Sequence, residues 1–444
     1  MLDLFLVGFL VAFMGIGMAR PFLLICVYAY IDILSPQRLT YWLLNSVPIS
    51  LIAFVAAVGA WAVFDAKQDT RVAPRQVLLL ILMVYCGITT INADFPIDAQ
   101  EVWGTTWKSL VFAAFLPLTL RTKLRIETLL LFMILSVATI IIVGGIKTAV
   151  SGGGYGELNL MVDNNSGLYE GSTISAVAVA IVPLILWFTR FGTIFPSDWR
   201  VKAFAYALCV SCLLIPVGTS ARTGLLCIAL LGVLLWRHTK RKILYLGLTA
   251  LVGVASIPFL PSSYTQRMET IKSYDADQSA STRLAVWAWT LDYVRDHPFG
   301  GGFVSYKQNR LKMTLKEPDG SIRIVTDQAR AFHSAYFQML GEQGYPGLVL
   351  WLIINVAGLV RMEILARRYR RDVDRAWVSP LASALQSAHL IYLLGAAFVG
   401  IAFQPLVYML MGCQIGLDTY LARKRIEATP APAMGKRVAA RGGA

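Results

Sequence analysis

Histidine is scarce in this sequence, so the setting of each histidine narrows the choice of a proton-transfer group. Only four occur in 444 residues. His238 lies among lysines and arginines, His389 lies within an apolar segment, and His297 precedes a proline in a turn-forming stretch. His333 instead lies on the outward side, on a predicted amphipathic helix that runs back to the membrane surface. Because imidazole titrates near neutral pH, the sequence predicts His333 as a candidate general base.

Two arginines have positions that favour binding of an anion. Arg222 follows residues 218–221 at the mouth of a predicted membrane segment, where positive charge is costly unless an anion requires it. Arg283 opens a predicted surface helix that Ser281 can cap. A guanidinium presents a planar, bidentate fork that suits phosphate oxygens. Both arginines are predicted to bind phosphate, and anchoring to lipid headgroups remains the alternative for each.

The stretch that carries Arg283 and His333 predicts two helices. Residues 281–295 have apolar side chains at helical spacing, namely Leu284, Trp287, Leu291 and Val294. The proline and three glycines in residues 297–302 predict a turn after this helix. A second helix is predicted from Asp327 to Gly341, and one of its faces would carry His333, Tyr336, Phe337 and Leu340.

The composition predicts a membrane protein. The chain is 57% hydrophobic and 15% charged, with a mean hydropathy of +0.61, whereas soluble proteins are about a quarter charged. Its apolar blocks are continuous, which favours spanning helices over a barrel of short alternating strands. The predicted fold is all-α, a polytopic membrane helix bundle of about 12 transmembrane helices, with 13 possible. The candidate segments are 2–18, 21–34, 47–64, 77–92, 105–120, 126–146, 171–189, 203–217, 222–236, 243–260, 344–360, 382–402 and 405–421.

The net charge of +14 does not indicate a nucleic-acid-binding surface, because the lysines and arginines are distributed as in a membrane bundle. Lysines and arginines fall in alternate connections, a pattern that predicts these connections and the C-terminus in the cytoplasm. By the same alternation, the long connection at residues 261–343 is predicted to face outward. The predicted organisation is an N-terminal transmembrane bundle at 1–260, a large helical periplasmic loop at 261–343, C-terminal transmembrane helices at 344–424, and a disordered cytoplasmic tail at 425–444.

Other candidate groups are fewer. Lys108 lies inside a predicted membrane segment, where it would either reach toward the headgroups or help to bind phosphate. The glycines at 152–156 lack the Lys-Ser/Thr end of a phosphate-binding loop, so a flexible connection is predicted there. The sequence has no set of His, Cys and Glu with zinc spacing, so the predicted site holds no metal and no cofactor.

Several of these stretches resemble one family of membrane enzymes. They are Gly218-Thr219-Ser220-Ala221-Arg222-Thr223-Gly224, the Arg283-containing stretch from Asp277 to Trp287, the Pro298-Phe299 turn, and above all Ala331-Phe332-His333-Ser334-Ala335-Tyr336-Phe337 with its continuation to Leu348. The family is the O-antigen ligase-like membrane proteins. The N-terminal half, with Trp107-Lys108 and Asp163-Asn164-Asn165, is similar to the branch associated with exosortase systems.

The resemblance implies an O-antigen ligase, a glycosyltransferase of the bacterial inner membrane. Such a protein takes a glycan from undecaprenyl diphosphate and attaches it to a lipid A–core sugar hydroxyl on the periplasmic face, without metal and with inversion. The implied catalytic residues are His333, Arg222 and Arg283. The implied substrate-binding residues are Arg222, Arg283, Ser220, Tyr336, Lys108, Asn164 and Asn165.

Three alternatives remain open from the sequence. Within the family, a protein O-oligosaccharyltransferase and an O-antigen polymerase would use the same lipid-linked donor with another acceptor. Outside it, a transporter of lipid-linked glycans would show ionisable residues in mid-membrane and inverted repeat halves. Neither feature is evident, because Lys108 is nearly alone among charged residues in the predicted membrane segments.

Overall fold

The computed structural model describes residues 2–39, 44, 47–67, 72–151, 167–196, 198–237, 278–316 and 322–428. Asn164, Asn165, His238 and the predicted segment 243–260 lie outside these residues. The helices of the N-terminal half are α1 (Leu2–Ala19), α2 (Phe22–Leu34), α3 (Ile49–Phe64), α4 (Pro74–Ile91), α5 (Pro96–Thr119), α6 (Lys123–Ser151), α7 (Gly171–Phe191), α8 (Trp199–Gly218) and α9 (Arg222–Arg237).

The second half contains the remaining elements. The predicted loop holds α10 (Gln278–Asp296), β1 (Arg310–Lys316) and β2 (Ile322–Gln328). The helices α11 (Ala335–Arg368), α12 (Val378–Ala396) and α13 (Pro405–Ala428) follow. The predicted helix at 281–295 is therefore confirmed as α10, and the predicted turn after it is confirmed as well.

Apart from 243–260, every predicted apolar segment overlaps one of these helices. Five helices in the described part of the chain, α4, α6, α7, α8 and α11, are long and apolar enough to cross a membrane by length and composition. The shorter helices α1, α2 and α3 are also apolar. The protein is thus largely α-helical and has the character of a multi-pass membrane protein, while the predicted number of crossings is not established by these helices.

The centre of the bundle is the contact between α7 and α12. Most side chains of α7 are buried, from Thr173 through Leu184 to Trp187, and α12 buries Leu385 and Tyr392. Gly395 of α12 allows a close approach of the two helices, because a Cβ there would lie 2.5 Å from the Cβ of Ala176. Small residues such as Ala176 and Gly395 allow two membrane helices to pack closely, which accounts for the close contact of α7 and α12.

Ion pairs join several helices at one end of the bundle. The Arg125 guanidinium donates to both carboxylate oxygens of Asp65, at 2.7 and 2.9 Å. Asp418 accepts two hydrogen bonds from Arg361, at 2.8 and 2.7 Å, and a longer one from Arg75. Each of these arginines belongs to a connection, or lies beside one, that the charge pattern predicts as cytoplasmic. The basic connections are therefore partly neutralised by carboxylates of neighbouring helices.

The loop that the sequence predicts as helical also contains a β-hairpin, which was not predicted. β1 and β2 pair antiparallel as a hairpin, with Arg310 opposite Gln328 and Lys316 opposite Ile322. The reason is visible in the sequence, because residues 310–316 alternate polar and apolar side chains with the period of two that suits a strand. Leu311, at the start of β1, is buried beside Val286 of α10.

Two further boundaries differ from the sequence-based predictions. The helix predicted from Asp327 begins only at Ala335, because Ala329 and His333 have positive φ angles of 55° and 48°, which a right-handed helix excludes. His333 therefore precedes α11 and does not lie on a helix face. At the C-terminus, α13 continues to Ala428, so the first residues of the predicted tail are helical, and residues 429–444 lie outside the described part.

Candidate functional site

A break in α11 anchors the turn that follows α10. Gly301 and Gly302 donate their backbone N–H groups to the carbonyls of Gly341 and Glu342, at 3.0 and 2.9 Å. Tyr345 donates its N–H to the carbonyl of Pro298 at 3.0 Å. In an uninterrupted helix Gly341 O would accept from Tyr345 and Glu342 O from residue 346, which is a proline and has no N–H. The turn therefore uses the backbone groups that the break releases.

Glycine at position 344 makes possible the joint between this turn (residues 297–302) and the break in α11. Gly344 has φ 64° and ψ −169°, a conformation that is essentially restricted to glycine. A Cβ at this position would lie 2.3 Å from Pro298 O and 2.5 Å from Gly300 N. Side chains at position 344 are therefore excluded both by the backbone conformation and by the neighbouring turn.

We expect Gly344→Ala to destabilise the protein by at least about 2 kcal/mol, because it adds backbone strain and overpacks the joint. The matched control is Gly232→Ala on α9, where a Cβ would meet no atom within 4 Å. Thermal unfolding of the purified full-length protein in detergent measures both. Equal unfolding temperatures for wild type and Gly344→Ala would contradict this account of the joint.

Buried polar side chains connect the same joint to the end of the bundle. Glu342, only 3% exposed, accepts hydrogen bonds from the backbone N–H of Val304 at 3.2 Å and from the Gln338 side chain at 3.3 Å. The Gln338 carbonyl oxygen accepts from Ala402 N, between α12 and α13, at 3.2 Å. Gln343 accepts from the Thr89 hydroxyl of α4 at 2.6 Å. The loop, α11, α4 and the connection between α12 and α13 are therefore joined by hydrogen bonds.

Trp287 holds the segment before α11 against α10. Its indole N–H donates to Phe332 O at 2.8 Å, and its ring stacks on Phe337 with 4.8 Å between centroids and 2° between planes. Arg283 lies one helical turn before Trp287 on α10. The two contacts flank His333 in sequence, so α10 determines the position of the His333 segment relative to Arg283.

His333 lies in a strained turn with a perturbed imidazole. Its φ of 48° is in the left-handed region, which few residues other than glycine adopt. The residue as a whole is exposed, yet nearby protein atoms partly desolvate the ring and lower its pKa, and the positive charges of Arg283 and Arg330 lower it further, whereas Glu170 raises it. At neutral pH the imidazole is therefore mainly neutral and able to accept a proton.

The first turn of α7 connects this region to the Arg222 stretch. Glu170, which affects the pKa of His333, caps α7 by accepting from Thr173 N at 2.7 Å. One turn further along α7, the hydroxyl of Ser175 is 2.8 Å from that of Thr219, in the turn that precedes Arg222. The beginning of α9 and the His333 turn therefore both adjoin the start of α7.

Two further predicted residues lie at this end of the bundle. Ser220 is 4% exposed and has φ 51°, so it is a second left-handed residue beside the predicted site. Tyr336 donates its hydroxyl to Leu393 O at 3.2 Å, and its ring contacts Trp351 edge-on at 5.3 Å. These contacts give Tyr336 a packing role between α11 and α12, while its role in substrate binding stays a prediction.

Lys108 is buried in α5, with 9% of its surface exposed. Its ammonium donates to the Ser50 hydroxyl at 3.2 Å and lies within electrostatic range of Asp32, whose carboxylate accepts from Ser109 at 2.9 Å. The lysine therefore points into a polar cluster of α2, α3 and α5 instead of reaching toward headgroups. Its role in phosphate binding stays a prediction.

Two charged residues beside His333 were not predicted from the sequence. Glu170 is an unusual helix cap, because Ser, Thr, Asp and Asn are the preferred residues at that position. The sequence therefore did not indicate that Glu170 begins α7. Arg330 is three residues before His333, in the irregular turn after β2, where Asn309 accepts from Arg330 N at 3.0 Å. Among the described residues, no group of three or more His, Cys, Asp or Glu side chains could hold a metal ion.

The arrangement defines a class of protein: a multi-pass helical membrane protein with basic groups and a neutral imidazole at one end of the bundle. Residues 207–352 match the family model described as O-antigen ligase, which covers α9, α10, the hairpin and the His333 segment. The resemblance to the O-antigen ligase-like membrane proteins is confirmed by this match. Residues 1–193 match a family of unknown function, and no curated protein matches the chain.

The family match supports glycosyl transfer of the O-antigen ligase or polymerase type, so the protein has the character of a ligase-like glycosyltransferase. Such ligases in general use lipid-linked glycan and lipid A–core as substrates. The N-terminal match carries no functional description, so the predicted similarity to the exosortase-associated branch stays a prediction.

Proposed function

We propose that this protein is an O-antigen ligase that transfers a glycan from undecaprenyl diphosphate to a sugar hydroxyl of lipid A–core on the periplasmic face of the inner membrane. The observation that carries the proposal is the contact of α10 with the His333 segment, in which Trp287, one helical turn after Arg283, donates to Phe332 O at 2.8 Å. Arg283 is close enough to lower the pKa of His333. Such a transfer requires two groups. One is a cation that binds the diphosphate, and the other is a neutral imidazole that accepts the proton of the hydroxyl.

The chemistry follows from the charges of the leaving group. The acceptor hydroxyl oxygen forms a bond to the anomeric carbon while the bond from that carbon to the diphosphate oxygen breaks, so the configuration inverts. The electron pair remains on the undecaprenyl diphosphate, where Arg283 and Arg222 stabilise the negative charge that develops. His333 takes the proton of the acceptor hydroxyl, for which its lowered pKa keeps it neutral.

The neighbours of His333 provide a test of its role as a base. Loss of the Arg330 charge raises the His333 pKa, so in Arg330→Gln the acidic limb of the pH–rate profile should move to higher pH. Loss of the Glu170 charge lowers that pKa, so in Glu170→Gln the limb should move to lower pH. The measurement is kcat/KM for transfer against pH. A shift in the same direction for both variants would exclude His333 as the titrating group.

Reconstitution identifies the acceptor. The full-length protein in proteoliposomes is supplied with labelled undecaprenyl-diphosphate-linked glycan and, in separate reactions, with lipid A–core, with a pilin-like peptide, or with donor alone. Label on lipid A–core and not on peptide supports the ligase. Label on peptide identifies a protein O-oligosaccharyltransferase, and a ladder of longer donors identifies a polymerase.

Two further outcomes of the same reconstitution bear on the proposal. Movement of intact donor across the bilayer without transfer identifies a transporter. Metal independence is tested separately, because activity that is unchanged in EDTA supports a mechanism carried by arginines and histidine. Loss of activity in EDTA and recovery with a divalent cation would overturn that part of the mechanism.

A further inference from the structure

A cavity of about 240 Å³ lies among the ends of α2, α3 and α6. It is at the opposite end of the bundle from the His333 turn, because α7 starts near His333 and is followed by Thr193, which donates to Glu127 in the first turns of α6. Three charged residues line it: Arg20 before α2, Asp65 after α3 and Arg125 in the first turn of α6. The charge pattern of the sequence predicts this end as cytoplasmic. The cavity therefore lies where lipid headgroups of the cytoplasmic leaflet are expected.

The charges of this cavity do not cancel. Asp65 is held by the bidentate ion pair with Arg125 at 2.7 and 2.9 Å, so its charge is matched within the protein. Arg20 is exposed and forms no salt bridge with any residue in the described part of the chain. One positive charge thus remains for an external anion, and a guanidinium suits the oxygens of a phosphate.

The other walls of the cavity are aromatic. Phe22 lies under the Arg125 guanidinium, 5.1 Å from the ring centroid, and Trp61 lies under the Lys67 ammonium at 5.6 Å. Phe64 lines the cavity while 66% of its surface is exposed. An arginine beside one exposed and two half-buried aromatic rings suits a ligand with a charged head and an apolar body, because each part meets a matching surface.

We propose that this cavity binds the phosphate of an anionic phospholipid, with Arg20 as the principal contact and the rings of Trp61 and Phe64 against the glycerol and the upper acyl chains. Basic clefts between membrane helices on the cytoplasmic side provide this recognition in general. The site is separate from the residues proposed for glycosyl transfer, so it concerns lipid binding at the other face of the bundle.

Lipid binding to the purified full-length protein tests the proposal directly. Native mass spectrometry in detergent, with added phosphatidylglycerol or phosphatidylcholine, gives the dissociation constant for each lipid. Wild type should prefer phosphatidylglycerol, and Arg20→Gln should weaken that binding by about fivefold, the effect of one arginine at a membrane surface. Asp65→Asn should strengthen it, because a negative charge beside the phosphate is removed.

The control is Arg190→Gln, an exposed arginine in the last turn of α7 that does not line the cavity, and its affinity should equal that of wild type. Competition by inorganic phosphate distinguishes a site for the phosphate of a lipid from a site for free phosphate. Displacement of the lipid by millimolar phosphate would overturn the lipid proposal in favour of a free anion. Equal affinities of wild type and Arg20→Gln, or no preference for phosphatidylglycerol, would overturn the site itself.

Discussion

Substitution of His333 by asparagine should lower the rate of glycan transfer by roughly 10²–10⁴-fold, the usual contribution of a general base. Asparagine is preferable to alanine, because it tolerates the left-handed backbone of this residue and so keeps the turn before α11 intact. It cannot accept a proton near neutral pH. The measurement is the single-turnover rate in proteoliposomes with donor and lipid A–core, at equal amounts of folded protein.

The matched control is His297→Asn. This second histidine of the predicted loop is exposed, lies after the last turn of α10, and stacks on Tyr293 with 4.3 Å between ring centroids. We expect its transfer rate to stay within a few-fold of wild type, because surface substitutions rarely have large effects. Full activity of His333→Asn would contradict the role of His333. An intermediate rate with loss of the acidic limb of the pH profile would identify His333 as the base. An intermediate rate with that limb retained would show that His333 only orients the acceptor.

Substitution of Arg283 by glutamine should lower kcat by roughly 10²–10³-fold, since a preorganised cation at a developing negative charge contributes several kcal/mol. The loss should appear in kcat more than in KM, because the diphosphate gains charge only as the glycosidic bond breaks. Arg283→Lys retains the charge without the planar fork, and we expect an intermediate rate.

The control for Arg283 is Arg295→Gln at the other end of the same helix. Arg295 bridges Asp292 at 2.9 Å with both side chains largely exposed, so its ion pair contributes little. Its transfer rate should match that of wild type. A rise in KM with unchanged kcat in Arg283→Gln would show that this arginine only binds substrate or lipid headgroups, the alternative that the sequence left open.

Much of the architecture could be predicted because the bilayer imposes strong constraints on length and polarity. The apolar segments coincide with helices wherever the structure describes them, and the amphipathic pattern of residues 281–295 identified α10. The three glycines after Pro298 correctly indicated a turn. These features depend on short-range patterns, which a single sequence records well.

The region around His333 was harder to predict, because long-range contacts decide it. The residues after Asp327 have a helical pattern of apolar side chains, yet the chain there leaves a hairpin and is held by Asn309 and Trp287, both distant in sequence. The alternation in residues 310–316 was a readable signal for a strand. By contrast, Glu170 is distant from His333 in sequence, so no local pattern indicated that the two are close.

The joint between the turn and the broken helix affects how the chain can be divided. A cut between residues 343 and 344, where the sequence suggested that the loop ends, would pass through the centre of this joint. An excised loop would leave Pro298 O without the N–H of Tyr345. A trimmed bundle would lose Gln343 and Gln338, the acceptors of the Thr89 hydroxyl and of Ala402 N. Each unmet group costs about 1–3 kcal/mol when it stays buried. The loop and the bundle therefore complete each other's hydrogen bonds, and we expect the loop's chemistry to be retained when both are present in one chain.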